Sequence, residues 1–207
     1  HIYVRETDGT IRDLTPGQSV KASFLGWSDD KKTFYLLSNE RDPKTFDLYA
    51  YSAEDYAREL IFENTDFSVD AISGEGRYIG LTKERTSADS DIYLVDLETS
   101  GEPTLITAHE GNVAHRINSF SAKDDALYFG TNEGAEFYRA VRYDLESGDK
   151  VEAFKADWDV SDYGESPSGR YIYSLVNADA LAEFKLTEAK TGQEVILRDL
   201  PPGEIYG

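Results

Sequence analysis

Cysteine and methionine are absent from the 207 residues, and histidine occurs only three times. Without cysteine there is no disulfide framework, no thiolate nucleophile and no zinc–thiolate site, and either redox compartment is open. Three histidines leave little from which to build a nucleophilic triad within this chain. No apolar run approaches the roughly 18 residues that a membrane-spanning helix needs. Basic residues are scarce too. The 21 Lys and Arg stand against 40 Asp and Glu, giving a net charge of −19, which repels nucleic acid and anionic membranes. The acidic excess is read as a solubility-tuned surface, with a cation-binding role or a salt-adapted source as the other readings. The chain opens His1-Ile2-Tyr3-Val4 with neither Met nor signal peptide, so it is expected to be an internal piece of a longer protein.

What is present points to short strands. Hydrophobic residues make up 40% and aromatics 13%, with 14 Tyr, 10 Phe and 16 Gly, a globular composition suited to strands joined by turns. A repeat then decides the fold. A small turn feeding an apolar strand begins at Ser28, Ser73, Ser121 and Ser166, at intervals of 45, 48 and 45 residues. A second marker follows each turn: Asp47-Leu48-Tyr49, Asp91-Ile92-Tyr93, Glu136-Phe137-Tyr138 and Glu183-Phe184-Lys185. Within one period, residues 20–27, 33–38, 47–52 and 57–62 read as strands. The helix-like stretch Ala53 to Leu60 falls where the repeat wants a hairpin, and is read as a tight turn followed by a strand.

Four short strands in about 45 residues make one blade of a β-propeller. The expectation is an all-β fold of four-stranded antiparallel blades, about four and a half of them, cut from a larger ring. Residues 1–19 would end one blade; 20–64, 65–112, 113–157 and 158–200 would each form one; 201–207 would open the next. A fragment with unpaired edges should be aggregation-prone or partner-dependent.

The blade wording resembles the TolB-like propeller repeat, a turn of the form Trp-Ser-Pro-Asp-Gly-Lys before a strand. Here it stands as Trp27-Ser28-Asp29-Asp30-Lys31-Lys32 and as Glu165-Ser166-Pro167-Ser168-Gly169-Arg170. The stretches Ser38 to Tyr49 and Thr82 to Tyr93 run beside each other at equal length. Their wording is similar to the propeller of secreted bacterial serine peptidases of the prolyl oligopeptidase family. That resemblance implies an α/β-hydrolase domain with a Ser-Asp-His triad elsewhere in the parent, and a peptide substrate. It further implies an exported, periplasmic or extracellular, bacterial protein.

No catalytic residue is expected in this chain. Gly-x-Ser-x-Gly does not occur, and the nearest imitation, Gly164-Glu165-Ser166-Pro167-Ser168, lacks the final Gly. Nor is there a Glu-Glu dipeptide, the pair with which dipeptidyl-peptidase members hold a substrate amine. His109-Glu110 with His115 has the wrong spacing for a zinc-protease helix and is read as an ordinary polar connection. Asp89-Ser90-Asp91 is read as solvated loop acids rather than a calcium site. No cofactor and no metal are called. Asn39, Asn132 and Asn177 are read as turn-stabilising.

Glu40-Arg41 and Glu84-Arg85 remain as the candidate site residues. They are expected in long loops between the second and third strands of successive blades, on one face of the disc. There the guanidinium groups would face a peptide carboxylate or the hydrolase domain, or else brace one blade against its neighbour. Two functions follow. One is a propeller that gates and positions peptide substrates beside a hydrolase domain; the other is a protein-binding scaffold of the TolB type without catalysis.

Overall fold

A computed structural model describes residues 1–99 and 101–197. Among them there is no helix; seventeen strands form five antiparallel sheets. A two-stranded ribbon comes first, β1 (Tyr3–Arg5) with β2 (Ile11–Asp13). Three four-stranded meanders follow. The first holds β3 (Ala22–Trp27), β4 (Thr33–Ser38), β5 (Asp47–Ser52) and β6 (Arg58–Phe62). The second holds β7 (Ser68–Ile72), β8 (Tyr78–Thr86), β9 (Asp89–Asp96) and β10 (Thr104–Leu105). The third holds β11 (His115–Phe120), β12 (Ala126–Thr131), β13 (Arg139–Asp144) and β14 (Lys150–Phe154). The last sheet has β15 (Asp159–Glu165), β16 (Tyr171–Ala178) and β17 (Leu181–Glu188). Beyond β17 a bridge from Thr187 to Glu194 carries the chain back alongside. The expected start of another blade at 201–207 lies outside the described residues.

The repeated serine has a mechanical purpose. In each meander and in the last sheet its hydroxyl accepts the backbone N–H five residues on: Thr33 at 3.0 Å, Tyr78 at 3.1 Å, Ala126 at 3.0 Å and Tyr171 at 3.1 Å. The residue three after the serine takes positive φ every time: Lys31 at 59°, Gly76 at 79°, Asp124 at 52° and Gly169 at 65°. Gly76 and Gly169 do this without a Cβ clash; Asp124 is of a residue type enriched in this region, and Lys31 adopts it in the equivalent turn.

Sheets stack face to face, so each interior is shared by two of them. Tyr35, Leu48 and Phe62 of the first meander meet Val69, Ile79, Leu81 and Val95 of the second. Ile92 and Ile106 meet Leu127, Phe129 and Val141 of the third. Tyr128 and Ala140 meet Val160 and Tyr163 of the last sheet. The middle strands are covered on both faces: all six residues of β12 are buried, which is why it reads as a continuous apolar run. The first strands β3, β7, β11 and β15 lie side by side along the inner edge of the fan. This is a β-propeller fragment in an open ring.

The pairing corrects the second sequence marker. Ser38 pairs with Asp47, Lys83 with Asp91, Thr131 with Arg139 and Val176 with Glu183. Arg139, not Glu136, therefore holds the third equivalent position. Glu136-Phe137-Tyr138 lies in the connection between β12 and β13, because the extra residues enter before Ser121, which stands 48 rather than 45 residues after Ser73.

Candidate functional site

The connections between second and third strands share one rim of the fan with the links between sheets. On this rim the structure places Glu40 and Arg41 in the 39–46 connection, as expected, but Glu84 and Arg85 inside β8. The expected long loop in the second meander does not exist. Asp42 and Pro43 set the difference. The Asp42 carboxylate accepts the Lys44 N–H at 2.9 Å and its carbonyl accepts the Thr45 N–H at 3.1 Å. Pro43 has no N–H to give a ladder. The second meander has no proline there, and β8 and β9 stay paired out to Thr86 and Asp89.

Arg41 is held from several sides. Its Nε and Nη2 each donate at 2.8 Å to Asp47, whose carboxylate is fully buried, and Nη2 also donates at 2.7 Å to the Asn64 carbonyl. Glu63 lies 3.4 Å from Nη1. Asp47 in turn accepts the Asn64 N–H at 2.9 Å, so one ion pair ties β5 to the link that leaves for the next sheet. The Asp47 hydrogen bonds push the Arg41 guanidinium above its ordinary range. Glu40 turns the other way and accepts from Arg58 Nη1 at 2.7 Å. Burial first and Glu40 second push the Tyr49 phenol up to about 12.

Arg85 has a larger retinue. Its Nε and Nη2 grip Asp89 at 2.8 and 2.7 Å, Nη1 bonds Asp91, and Nη2 lies 2.8 Å from His109 Nε2. Arg85 and His109 together hold the Asp89 carboxyl far below the usual carboxylate range. Asp89, Ser90 and Asp91 are thus not solvated loop acids: all three are buried at the start of β9. His109 lies in a link between two sheets, as read, but its side chain is only 1% exposed and its ring lies 5.0 Å from that of His115. Nothing local in the sequence announces this cluster, because His109 meets partners 18 to 24 residues earlier. Among the described residues no three His, Asp or Glu are placed to hold a metal ion.

Glu84 makes no such pairs. It is exposed at the edge of a cleft of about 550 Å³ between the first and second meanders, with Leu37, Lys44, Phe46, Phe67 and Thr82. The four candidates therefore divide: Arg41 and Arg85 are partly exposed and held by buried carboxylates in separate ion-pair clusters, Glu40 braces β6, and Glu84 faces open space. The asparagines also divide. The Asn39 and Asn132 amide oxygens accept the backbone N–H of Lys21 and Ala114 at 2.6 and 2.9 Å. They fasten the second strand to the start of the first, and Asn39 also donates to the Pro43 carbonyl at 3.4 Å within its own connection. Asn177 pairs within the ladder opposite Asp159.

No curated protein sequence matches the chain. Its structure is similar to TolB from Acinetobacter baumannii, with a TM-score of 0.68 at 18% identity over 93% of this chain and 47% of that one. A structure described in a study of two prolyl endopeptidases gives 0.66 at 17% identity, over 97% of this chain and 31% of the other. A puromycin-hydrolyzing peptidase of Mycobacterium tuberculosis gives 0.64 at 12% identity, covering 92% and 34%. The chain thus spans less than half the length of each of these structures, and at such identities they establish the fold alone. The model of the prolyl oligopeptidase N-terminal β-propeller domain matches residues 2–199. Nearly the whole chain carries that match, so the chain belongs to the prolyl oligopeptidase N-terminal β-propeller family.

Proposed function

We propose that this chain is the non-catalytic propeller portion of a prolyl oligopeptidase-like serine peptidase. It gates and positions peptide substrates beside an α/β-hydrolase domain that lies outside these residues. The observation that carries the reading is the family match over residues 2–199. The geometry supports it. The inner strands β3, β7, β11 and β15 lie side by side, and the rim carrying Arg41, Glu84 and Arg85 is fixed by ion pairs to buried carboxylates. A rigid, charged rim suits a stationary surface against which a second domain closes. In this reading Glu84 and the cleft beside it face the substrate or the hydrolase domain, while Arg41 and Arg85 keep that surface in shape. Blade divisions after residues 19, 64, 112 and 157 and export from a bacterial cell belong to the same proposal.

The test is a serine-hydrolase activity probe applied to the full-length protein that carries this chain. Labelling of a serine outside residues 1–207, together with turnover that falls off as peptide substrates lengthen into folded proteins, is the expected result. A second reading, a TolB-type protein-binding scaffold, is favoured by the similarity to TolB over 93% of the chain. Complete absence of labelling, with capture of a folded protein partner, would replace the first reading by the second.

A further inference from the structure

The link of residues 106–114 leaves the second sheet and enters the third, and His109 is its anchor. The His109 Nδ1 lies 2.9 Å from the Thr107 carbonyl, which can only accept, so Nδ1 carries a proton. Nε2 sits between groups of opposite demand. Arg85 Nη2 at 2.8 Å can only donate, and the ionised Asp89 Oδ1 at 3.0 Å can only accept. One proton chooses between them. The imidazolium donates to Asp89; the neutral ring accepts from Arg85 and loses the carboxylate.

His115 stands directly behind. Its Nδ1 donates to the Ser90 carbonyl at 2.7 Å, its backbone N–H donates to the Ser90 hydroxyl at 2.7 Å, and that hydroxyl donates to the His115 carbonyl at 2.8 Å. The charged and titratable groups facing the two rings come from every neighbouring element. They are Arg85 on β8, Asp89 and Asp91 on β9, and Glu133 beyond β12, which acts on His115 through its charge. With ring centroids 5.0 Å apart, both imidazoles cannot carry a proton charge cheaply.

We propose that His109 and His115 form a pH-sensitive latch that fastens the 106–114 link to the second sheet most firmly in mildly acidic solution and loosens on either side. The titrations run in opposite directions from the ordinary value of 6.5. The Thr107 carbonyl first, then Asp89 and Asp91, raise His109, while burial lowers His115. A raised histidine contributes stability that is complete below 6.5 and lost as pH climbs through its folded value. A lowered histidine costs nothing above 6.5 and costs stability as pH falls through its folded value. The two limbs meet near pH 6.5. The equivalent cluster around Arg41 contains no histidine, so the device belongs to one sheet junction only. It does not rest on the peptidase reading.

Hydrogen–deuterium exchange of the 106–114 amides in the full-length protein, corrected for intrinsic rates, tests the latch. Opening should be rarest near pH 6.5 and should rise several-fold, up to about tenfold, towards about pH 5 and about pH 8. His109→Gln should abolish the alkaline rise and keep the acidic one; His115→Gln should do the reverse. Asp89→Asn retains the shape and removes the charged acceptor, so it should shrink the alkaline rise while leaving the part due to the Thr107 carbonyl and Asp91, and it serves if His109→Gln does not fold. The 155–158 link, which has no histidine, should stay flat. A flat wild-type profile at 106–114, or an alkaline rise that Asp89→Asn leaves undiminished, overturns the proposal.

Discussion

Arg41 and Arg85 occupy matching places in adjacent sheets, each six residues before an aspartate near the start of the third strand. The two solutions differ in where the guanidinium finds its second partner. Around Arg41 a proline-bearing loop leaves space, and the backbone of Asn64 fills it. Around Arg85 the hairpin closes tightly, and the space is taken by Asp89 and His109. Equal length and similar wording therefore do not give equal loops. In the first meander Pro43 and the Asp42 turn interrupt the ladder, and this changes which groups can reach the arginine. One cluster becomes a fixed tie and the other becomes titratable.

The largest expected effect separates the two ties. Asp47 is the sole carboxylate gripping Arg41 in two places, and it also accepts the Asn64 N–H. Asp47→Ala strands a half-buried guanidinium and a buried amide. The expected loss is about 2–3 kcal/mol, below the usual figure for a fully buried pair because Arg41 reaches solvent. Asp91→Ala should cost clearly less, since Asp89 still grips Arg85 with both oxygens. Urea midpoints at constant m-value decide this. Equal losses would mean that the second carboxylate adds nothing to the tie.

Much of this architecture was legible from the chain itself, for a physical reason. The repeated serine caps a hairpin by a local bond five residues long, and alternation along each strand records which face is covered. Such signals lie within a few residues, so they survive in the sequence. Arg41 and Arg85 could be marked as important for the same reason. Their roles could not be told apart. The register of β13 was misplaced by three residues because Phe137-Tyr138 mimics a strand start while sitting in a long turn. The buried Asp89-Ser90-Asp91 and His109 were missed because their meaning depends on partners across a sheet junction. No local spacing encodes that contact.

The opposite rim offers the second comparison. There the neighbouring sheets are joined by carboxylates accepting backbone N–H groups. Asp124 takes those of Gly74 and Glu75 at 3.0 and 2.6 Å, and Glu165 takes that of Ala122 at 3.1 Å with the Tyr128 hydroxyl at 2.6 Å. Glu165→Ala should cost about 1–2 kcal/mol, the range for losing a hydrogen-bonded charged acceptor. Glu165→Gln, which keeps an oxygen acceptor, should cost visibly less. In the same rim Gly76→Ala meets both a φ of 79° and the Tyr35 hydroxyl, 2.3 Å from where the new Cβ would sit. Gly9→Ala, with φ of 88° and open space around it, carries backbone strain alone, about 1 kcal/mol. Thermal melts of the two variants should therefore differ, with Gly76→Ala the lower. Equal melting would mean that Tyr35 moves aside freely.

The smallest effect concerns the two glutamates. Glu40 accepts from Arg58 at 2.7 Å where the pair's side chains are 24% and 39% exposed, so solvent screens the attraction and Glu40→Gln should cost about 0.5 kcal/mol or less. Glu84→Gln, with no ion pair to break, should leave stability unchanged within error. The phenol of Tyr49 gives the sharper readout. Burial is the first cause of its rise to about 12 and Glu40 the second. Ultraviolet titration of Glu40→Gln should therefore bring it down part of the way, still above the ordinary 10. A full return to the ordinary value would assign the rise to the charge on Glu40 rather than to the stacking of the sheets, and would make the 39–46 loop, not the core, the source of that residue's environment.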